Sequence, residues 1–267
     1  MTTLRVLAYN LYLGGSDRLD AIHGVLAHVD ADLIALTEAD DRQVVKTLAE
    51  RLGLHYMWAR GSGERHIATL SRFPIQEWHV YNTPPLTQAV LETRLDLSHP
   101  LSPAPNQRRS ITIYNLHFLP YLLLPFEIRR WQAVGKLLGM IRERQPGPHL
   151  IMGDLNAIAP GDRVLLRNNP ARMRRVMALQ LNQIFRVAIP RLSRAGYVDC
   201  FRRLHPTEDG FTWMPRNRTT RYDYIFADPT LAPALRACRV VDDIETVNVA
   251  SDHFPLFAAF ELDGCNA

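Results

Sequence analysis

Glu38 and Asp154 each close a short apolar run, "DLIALTE" and "HLIMGD", and Asp252 precedes another in "SDHFPLFAAFEL". Three carboxylates so placed suit a hard cation with oxygen ligands. Mg²⁺ takes one or two carboxylates and completes its shell with water and substrate phosphate. Asn10 and Asn156 are neutral, and an amide can hold water or donate to a phosphoryl oxygen without adding repelling charge. His117 and His253 can donate to phosphate or move a proton near neutral pH. This set fits metal-assisted phosphoester hydrolysis, in which an oxygen is polarised, a water is placed in line and the leaving oxygen is stabilised.

Other chemistries find less support. His23 and His28 do not share a helix face, HExxH is absent, and Cys200, Cys238 and Cys265 have no CxxC spacing, so neither a zinc site nor a disulfide framework is expected. There is no Walker loop, GxGxxG or GxSxG, and Gly14-Gly15 reads as a turn.

The elements that must carry these residues are short strands. "LRVLAYN" ends at Asn10, "SITIYNLH" at His117, and "RYDYIFAD" carries Asp223 near its start. One polar residue at a strand end usually begins a turn. Several along one sheet edge converge in space. Ser16 is placed to cap a helix with Leu19, Ile22, Leu26 and Val29 on its apolar face. Val44, Val45, Leu48 and Leu52 form a second face, stopped by Gly53. Ile128, Trp131, Val134, Leu138 and Ile141 form a third. "QAVLETRLDL" alternates as a half-buried antiparallel strand should, with Leu91, Thr93, Leu95 and Leu97 on one face. The sum is packed sheets with helices outside.

The composition, 47% hydrophobic and 22% charged, allows a large core in 267 residues. No repeat or Gly/Ser linker divides the chain, and Pro100 to Pro105 reads as a surface loop. The first strand begins near Leu4, leaving no room for a signal peptide, and no apolar run reaches membrane-spanning length, so a cytoplasmic protein is expected. Net charge is +4, yet residues 163–203 hold ten arginines against one acid, Asp199. That segment could meet a polyanion or an anionic lipid surface, or be a solvated face in an arginine-rich chain.

The motifs "AYN", "ALTE", "ATLSRFPI", "NLHF", "MGDLN", "RYDYIF" and "SDHFP", with "GYVDCFR" and "GFTW" as further echoes, occur in one order along nearly the whole chain. In this the sequence resembles the endonuclease/exonuclease/phosphatase (EEP) superfamily, which includes deoxyribonucleases, apurinic endonucleases, sphingomyelinases and inositol polyphosphate phosphatases. The resemblance implies an α/β four-layer sandwich (α/β/β/α), two mainly antiparallel mixed sheets with outer helices, deoxyribonuclease-like. It implies a Mg²⁺ or Mn²⁺ cofactor held by Glu38 with Asn10 beside it and Asp252 nearby. It makes Asp154 the group that orients or deprotonates water, with Asn156 holding water or a phosphoryl oxygen. His253 would bind the scissile phosphate, oriented by Asp223, and His117 would be a second phosphate contact. Arg72, in "ATLSRFPI", is carried over as a further substrate-binding residue.

Two departures narrow the reading. "FEIRRW" has Ile128 where apurinic endonucleases carry a tyrosine, and Thr37 precedes Glu38 where glutamine is usual. Residues 160–194 have no counterpart in those branches. There Met173, Met177, Leu181, Ile184 and Ala188 form one helical stripe, widened by Leu179 and Val187. The expectation is thus one domain over 1–267 with a basic helical insertion at about 160–195. It is a monomeric, divalent-metal-dependent phosphoesterase, a nuclease first. A phosphatase or sphingomyelinase-like phosphodiesterase is the alternative, and a nucleic-acid- or membrane-binding module on the same fold is the non-enzymatic one.

Overall fold

A computed structural model describes residues 3–61, 63–86, 88–97 and 110–262. The Pro100–Pro105 loop and Cys265 lie outside them. The strands in chain order are β1 (Thr3–Asn10), β2 (Leu33–Thr37), β3 (His55–Ala59), β4 (Ile67–Ser71), β5 (Ile75–Tyr81) and β6 (Val90–Asp96). They continue as β7 (Ser110–His117), β8 (His149–Asp154), β9 (Val198–Asp199), β10 (Asp223–Ala227), β11 (Leu235–Val240) and β12 (Leu256–Glu261). The helices are α1 (Leu19–Val29), α2 (Arg42–Leu52), α3 (Leu124–Arg144), α4 (Ala171–Ala178), α5 (Ala188–Arg194), α6 (Cys200–Leu204) and α7 (Val247–Ala250).

The strands form two six-stranded mixed sheets, ordered β11-β12-β1-β2-β4-β3 and β5-β6-β7-β8-β10-β9. The period of two along each strand makes the layers. Val6 and Ala8 of β1 meet Ile113, Leu150 and Met152 between the sheets. Leu7 and Tyr9 point outward to Ile22 and Leu26 of α1 and Leu48 of α2. On the far side, Tyr114 and Ile151 turn outward to Val134 and Leu137 of α3 and Leu192 of α5. The result is the expected sandwich of two sheets between outer helices.

The sheet centres are parallel, β1 with β2 and β7 with β8, and their registers align Asn10 with Thr37 and His117 with Asp154. Both pairs stand at carboxyl ends of strands. The antiparallel β10 begins at the same edge, Asp223 opposite Asp154, and β12 begins there beside β1. One rim therefore collects residues that the chain scatters from 10 to 253. Two details lock it. Asn115 Nδ2 crosses between sheets to Leu36 O (3.1 Å) and Ala68 O (2.8 Å). Gly153, at φ 131°, lies so near β7 that a Cβ would stand 2.1 Å from Leu116 O.

Several local expectations change. Ser16 does not cap α1; it opens a 3₁₀ turn, Ser16–Arg18, with no side-chain cap. The side-chain cap of this pair is Asp41, which accepts from Gln43 N and Val44 N at the start of α2, while Gly53 stops that helix in the left-handed region as expected. On α3, Val134 and Ile141 are buried but Ile128 and Trp131 are exposed. The helix is rotated because Glu127 and Arg130 form a buried pair that also serves the backbone. Glu127 Oε1 accepts from Val187 N (2.7 Å) and Ala188 N (2.8 Å), and Arg130 donates to Leu119 O and Tyr121 O. Strand β6 is buried on both faces over its first half, with Glu92 holding Tyr81 and Arg144.

The stripe at 173–188 is not one helix. α4 stops at Ala178, Leu181 and Asn182 take positive φ, and α5 starts at Ala188. Gln180 sets this break: its side chain bonds Leu122 O, Leu124 N and Gln183 O, and Leu179 and Leu181 are left outside. Part of the arginine excess is also engaged within the fold: Arg202 pairs with Asp162, and Arg174, still charged, donates to the carbonyls of Arg167 and Asn169. No helix among the described residues is long and apolar enough to cross a membrane.

Candidate active site

Glu38 follows the last residue of β2 and turns into the left-handed region (φ 48°). A non-glycine residue held there costs about 1–2 kcal/mol and needs surroundings that fix it. Here Gly14 N donates to Glu38 O (3.0 Å) and Leu13 N to Glu38 Oε2 (2.9 Å). Asn156 is in the same region (φ 47°), with its N–H on Asp154 Oδ1 (2.9 Å) and its Nδ2 on Phe118 O (3.0 Å).

Asn10 stands between the acids. Its Nδ2 donates to Asp154 Oδ2 at 3.0 Å and lies 3.4 Å from Glu38 Oε1, while its Oδ1 accepts from Tyr12 N. Ser251 ties the start of β12 to the end of β1: its Oγ donates to Asn10 O (2.6 Å) and accepts from His253 N (3.1 Å).

His253 is fixed by Asp223, whose Oδ2 accepts from Nδ1 at 2.7 Å. That leaves Nε2 facing Asp154 Oδ2 at 3.9 Å and Asp252 Oδ1 at 4.0 Å. Burial disfavours the imidazolium, but the surrounding carboxylates, Asp223 first, outweigh it and raise His253 to about 10. Asp154 is pushed above the usual carboxylate range, by burial first and then by Asp223. His117 behaves oppositely. Burial and the neighbouring His253 lower it to about 3, so its ring is neutral, with Nε2 3.5 Å from Asp154 Oδ2 and Nδ1 unpartnered.

The group has depth. Asp154, Asp223 and His253 are buried, while Glu38 and Asp252 are partly open. By distance alone Asp154, Asp223 and His253 could hold an ion, with ligand atoms within 4.8 Å. Yet Asp223 Oδ2 and His253 Nδ1 already satisfy each other, and a protonated ring is no ligand. The outer set fits a cation better. Asp252 Oδ2 accepts from Trp213 Nε1 (3.3 Å), but Oδ1 is buried without any hydrogen-bond partner. Burial, and then Glu38, push Asp252 above the usual range. A carboxylate oxygen without a hydrogen bond, near a second carboxylate, is a hard donor set that a divalent ion satisfies.

The structure thus brings together Asn10, Glu38, His117, Asp154, Asn156, Asp223, Asp252 and His253. It does not bring Arg72. That residue follows β4 at the opposite end of β2 from Glu38, where its N–H donates to Asp32 O and its guanidinium pairs with Asp30 and Asp32. The antiparallel β4 ends where β2 begins, so a residue just past its end points away from the rim. Four contributors were missed. Arg65 lies 3.7 Å from Glu38 Oε2 and pairs with Asp40, and nothing in the sequence marks it. Thr212 Oγ1 accepts from Tyr222 N and Asp223 N, fixing the start of β10. Ser251 and Trp213 sit inside "SDHFP" and "GFTW", where their presence was the only signal.

The fold has close likenesses. An AP endonuclease from Archaeoglobus fulgidus superimposes with a TM-score of 0.72 at 18% identity, covering 97% of this chain and 100% of that one. A Neisseria 3' phosphatase, NExo, bound to a product DNA hairpin gives 0.71 at 19% identity, covering 97% and 99%. In sequence, exodeoxyribonuclease III of Haemophilus influenzae is 32% identical over 124 residues, 43% of this chain and 46% of that protein, so the match spans under half of the relative's length. Residues 7–253 match the model of the Endonuclease/Exonuclease/phosphatase family, and the chain belongs to that family.

Proposed function

We propose that the protein is a divalent-metal-dependent hydrolase of phosphodiester bonds, acting first on nucleic acid, with all of residues 1–267 serving one domain. The observation that carries this reading is the His253 ring, held at Nδ1 by Asp223 with Nε2 aimed between Asp154 and Asp252. A cation fixed there can donate to a phosphoryl oxygen, and Asp154, raised towards neutrality, can accept the proton of a water. Asn10 holds Asp154 Oδ2 and Asn156 N–H holds Oδ1, which sets the direction of its remaining lone pairs. The water oxygen forms its bond to phosphorus as the bond to the leaving oxygen breaks. Asp154 takes the water proton, and the leaving oxygen recovers a proton from His253 or solvent. Glu38 and Asp252, with Asn10 beside them, would hold Mg²⁺ or Mn²⁺, which supplies charge neutralisation of the phosphate.

The nuclease named among the sequence relatives and the DNA-bound phosphatase among the structural ones support nucleic acid as the first substrate class. A second reading, hydrolysis of a phospholipid phosphodiester, is favoured by apolar side chains exposed on α3 and after α4. The test is an assay with Mg²⁺ or Mn²⁺ against plasmid, single-stranded DNA, abasic duplex, RNA, sphingomyelin and inositol phosphates, with Glu38→Ala and His253→Ala in parallel. Cleavage of a nucleic acid that both substitutions abolish is the expected result. Activity surviving both, or on none of these substrates, overturns the proposal.

A further inference from the structure

Leu179 and Leu181 are each 83% exposed, an unusual placement for two leucines in a turn fixed on both sides. Gln180 between them anchors the turn to Leu122 O and Leu124 N at the start of α3. There a second apolar stripe begins. Leu124, Ile128 and Trp131 follow the helical spacing of one face and are all exposed, with Tyr121 just before them. Leu124 and Ile128 belong to none of the hydrophobic clusters, and Trp131 carries the Arg191 guanidinium 4.1 Å from its ring centre, because the buried Glu127–Arg130 pair turns the opposite face of α3 inward.

The charge around these residues has one sign. Arg172 and Arg175 share a helical face with Leu179, while Met173 and Met177 on the other face pack against Leu122, Ile158 and Trp213, next to the site. Arg129 flanks Ile128. Among the described residues Arg129, Arg172 and Arg175 pair with no carboxylate, and the nearest acid on α3, Glu127, is buried and neutralised by Arg130.

The geometry points to an anionic lipid surface as the partner of this face: Leu179, Leu181, Leu124 and Ile128 enter the headgroup–acyl boundary, Tyr121 and Trp131 sit at its level, and the arginines meet lipid phosphates. Apolar insertion beside unpaired cations is the arrangement that interfacial binding requires. A second copy of the chain fits worse, because a two-fold contact would set the same arginines against each other. A duplex backbone would use the arginines but leave the leucines unburied. Docking here is independent of the chemistry proposed above, and it is measured without divalent metal, so failure of either leaves the other standing.

The test is co-sedimentation of the full chain with vesicles of equal parts phosphatidylserine and phosphatidylcholine, against phosphatidylcholine alone, with Trp131 emission followed in parallel and Trp131→Phe as the control. Binding to the anionic vesicles, with a blue shift lost in Trp131→Phe, is expected. The pairs Leu179→Glu/Leu181→Glu and Arg172→Glu/Arg175→Glu should each weaken it about tenfold or more, with unchanged melting temperature because these side chains are exposed. No binding, binding unaffected by the leucine pair, or a leucine-pair defect seen only in self-association or nucleic-acid binding would overturn the inference.

Discussion

The side-chain amide of Asn10 donates to Asp154 Oδ2 at 3.0 Å from the opposite sheet, and the same nitrogen lies 3.4 Å from Glu38 Oε1. One neutral side chain thus spaces two acids that would otherwise repel, and it does so at the junction of the two sheets. Asn10→Ala removes this spacer. Its expected effect is a loss of about 10–100-fold in kcat or metal affinity, as for other residues that orient a ligand. Steady-state kinetics and calorimetric Mn²⁺ titration read it, and a kcat and affinity within error of the parent would show that the spacer is dispensable.

The Asp223–His253 pair gives a pH signature. His253 is raised to about 10, so phosphate binding should persist above neutrality and fall as pH climbs towards that value. Because Asp154 is raised, the acid limb should lie above the ordinary carboxylate range. Asp223→Asn removes the charge that holds the imidazolium, and the alkaline limb of kcat/KM should move down towards the ordinary imidazole value of about 6.5. Stability follows the same sign. A folded pKa above the unfolded one stabilises fully below about 6.5 and loses that contribution as pH rises towards about 10. Denaturation between those values should therefore be less pH-dependent in Asp223→Asn. An alkaline limb that stays in place would remove His253 as its source.

The Glu127–Arg130 pair makes a stability prediction far from the chemistry. Both side chains are about 1% exposed, and Glu127 caps two backbone N–H groups at the start of α5. Glu127→Ala strands a buried guanidinium and should cost about 3–5 kcal/mol. The double replacement Glu127→Leu/Arg130→Met should cost less than Glu127→Ala, because no charge is left alone. Urea titration of the variants checks the order, and a milder Glu127→Ala than the double would contradict it.

Gly153 offers a sharper lesion. A Cβ at its φ of 131° would stand 2.1 Å from the Leu116 carbonyl. Gly153→Ala should push β8 away from β7 and carry Asp154 with it, lowering both melting temperature and activity. Full activity in a destabilised variant would show that Asp154 keeps its place without this close approach.

The layers and the rim were legible in the sequence for a physical reason. Buried strands such as β2 and β8 must be apolar throughout, so a polar residue at their ends stands out. The resemblance then assigned Asp223 and His253 to each other, and the 2.7 Å bond agrees. The face of α3 was not legible, because Glu127 and Arg130 look like surface residues until their backbone partners are known. Helical periodicity also ran through 173–188 without registering the break that Gln180 makes with Leu122 and Leu124, partners some 56–58 positions away. Arg72 shows the converse error: a motif fixes the order of residues, but the direction of β4 decides which end of the sheet they reach.

The pairing of β1 with β12 joins Thr3 to Glu261. During synthesis β1 therefore waits with one edge open until residues 256–261 have left the ribosome. Ser251 cannot reach Asn10, nor His253 reach Asp223, before that. Long-range pairing of this kind is entropically slow. A nascent chain would hold every acid of the rim except Asp252 and still lack His253, the group proposed to bind the phosphate. Hydrolytic capacity should then appear in one step, together with the closure of the first sheet.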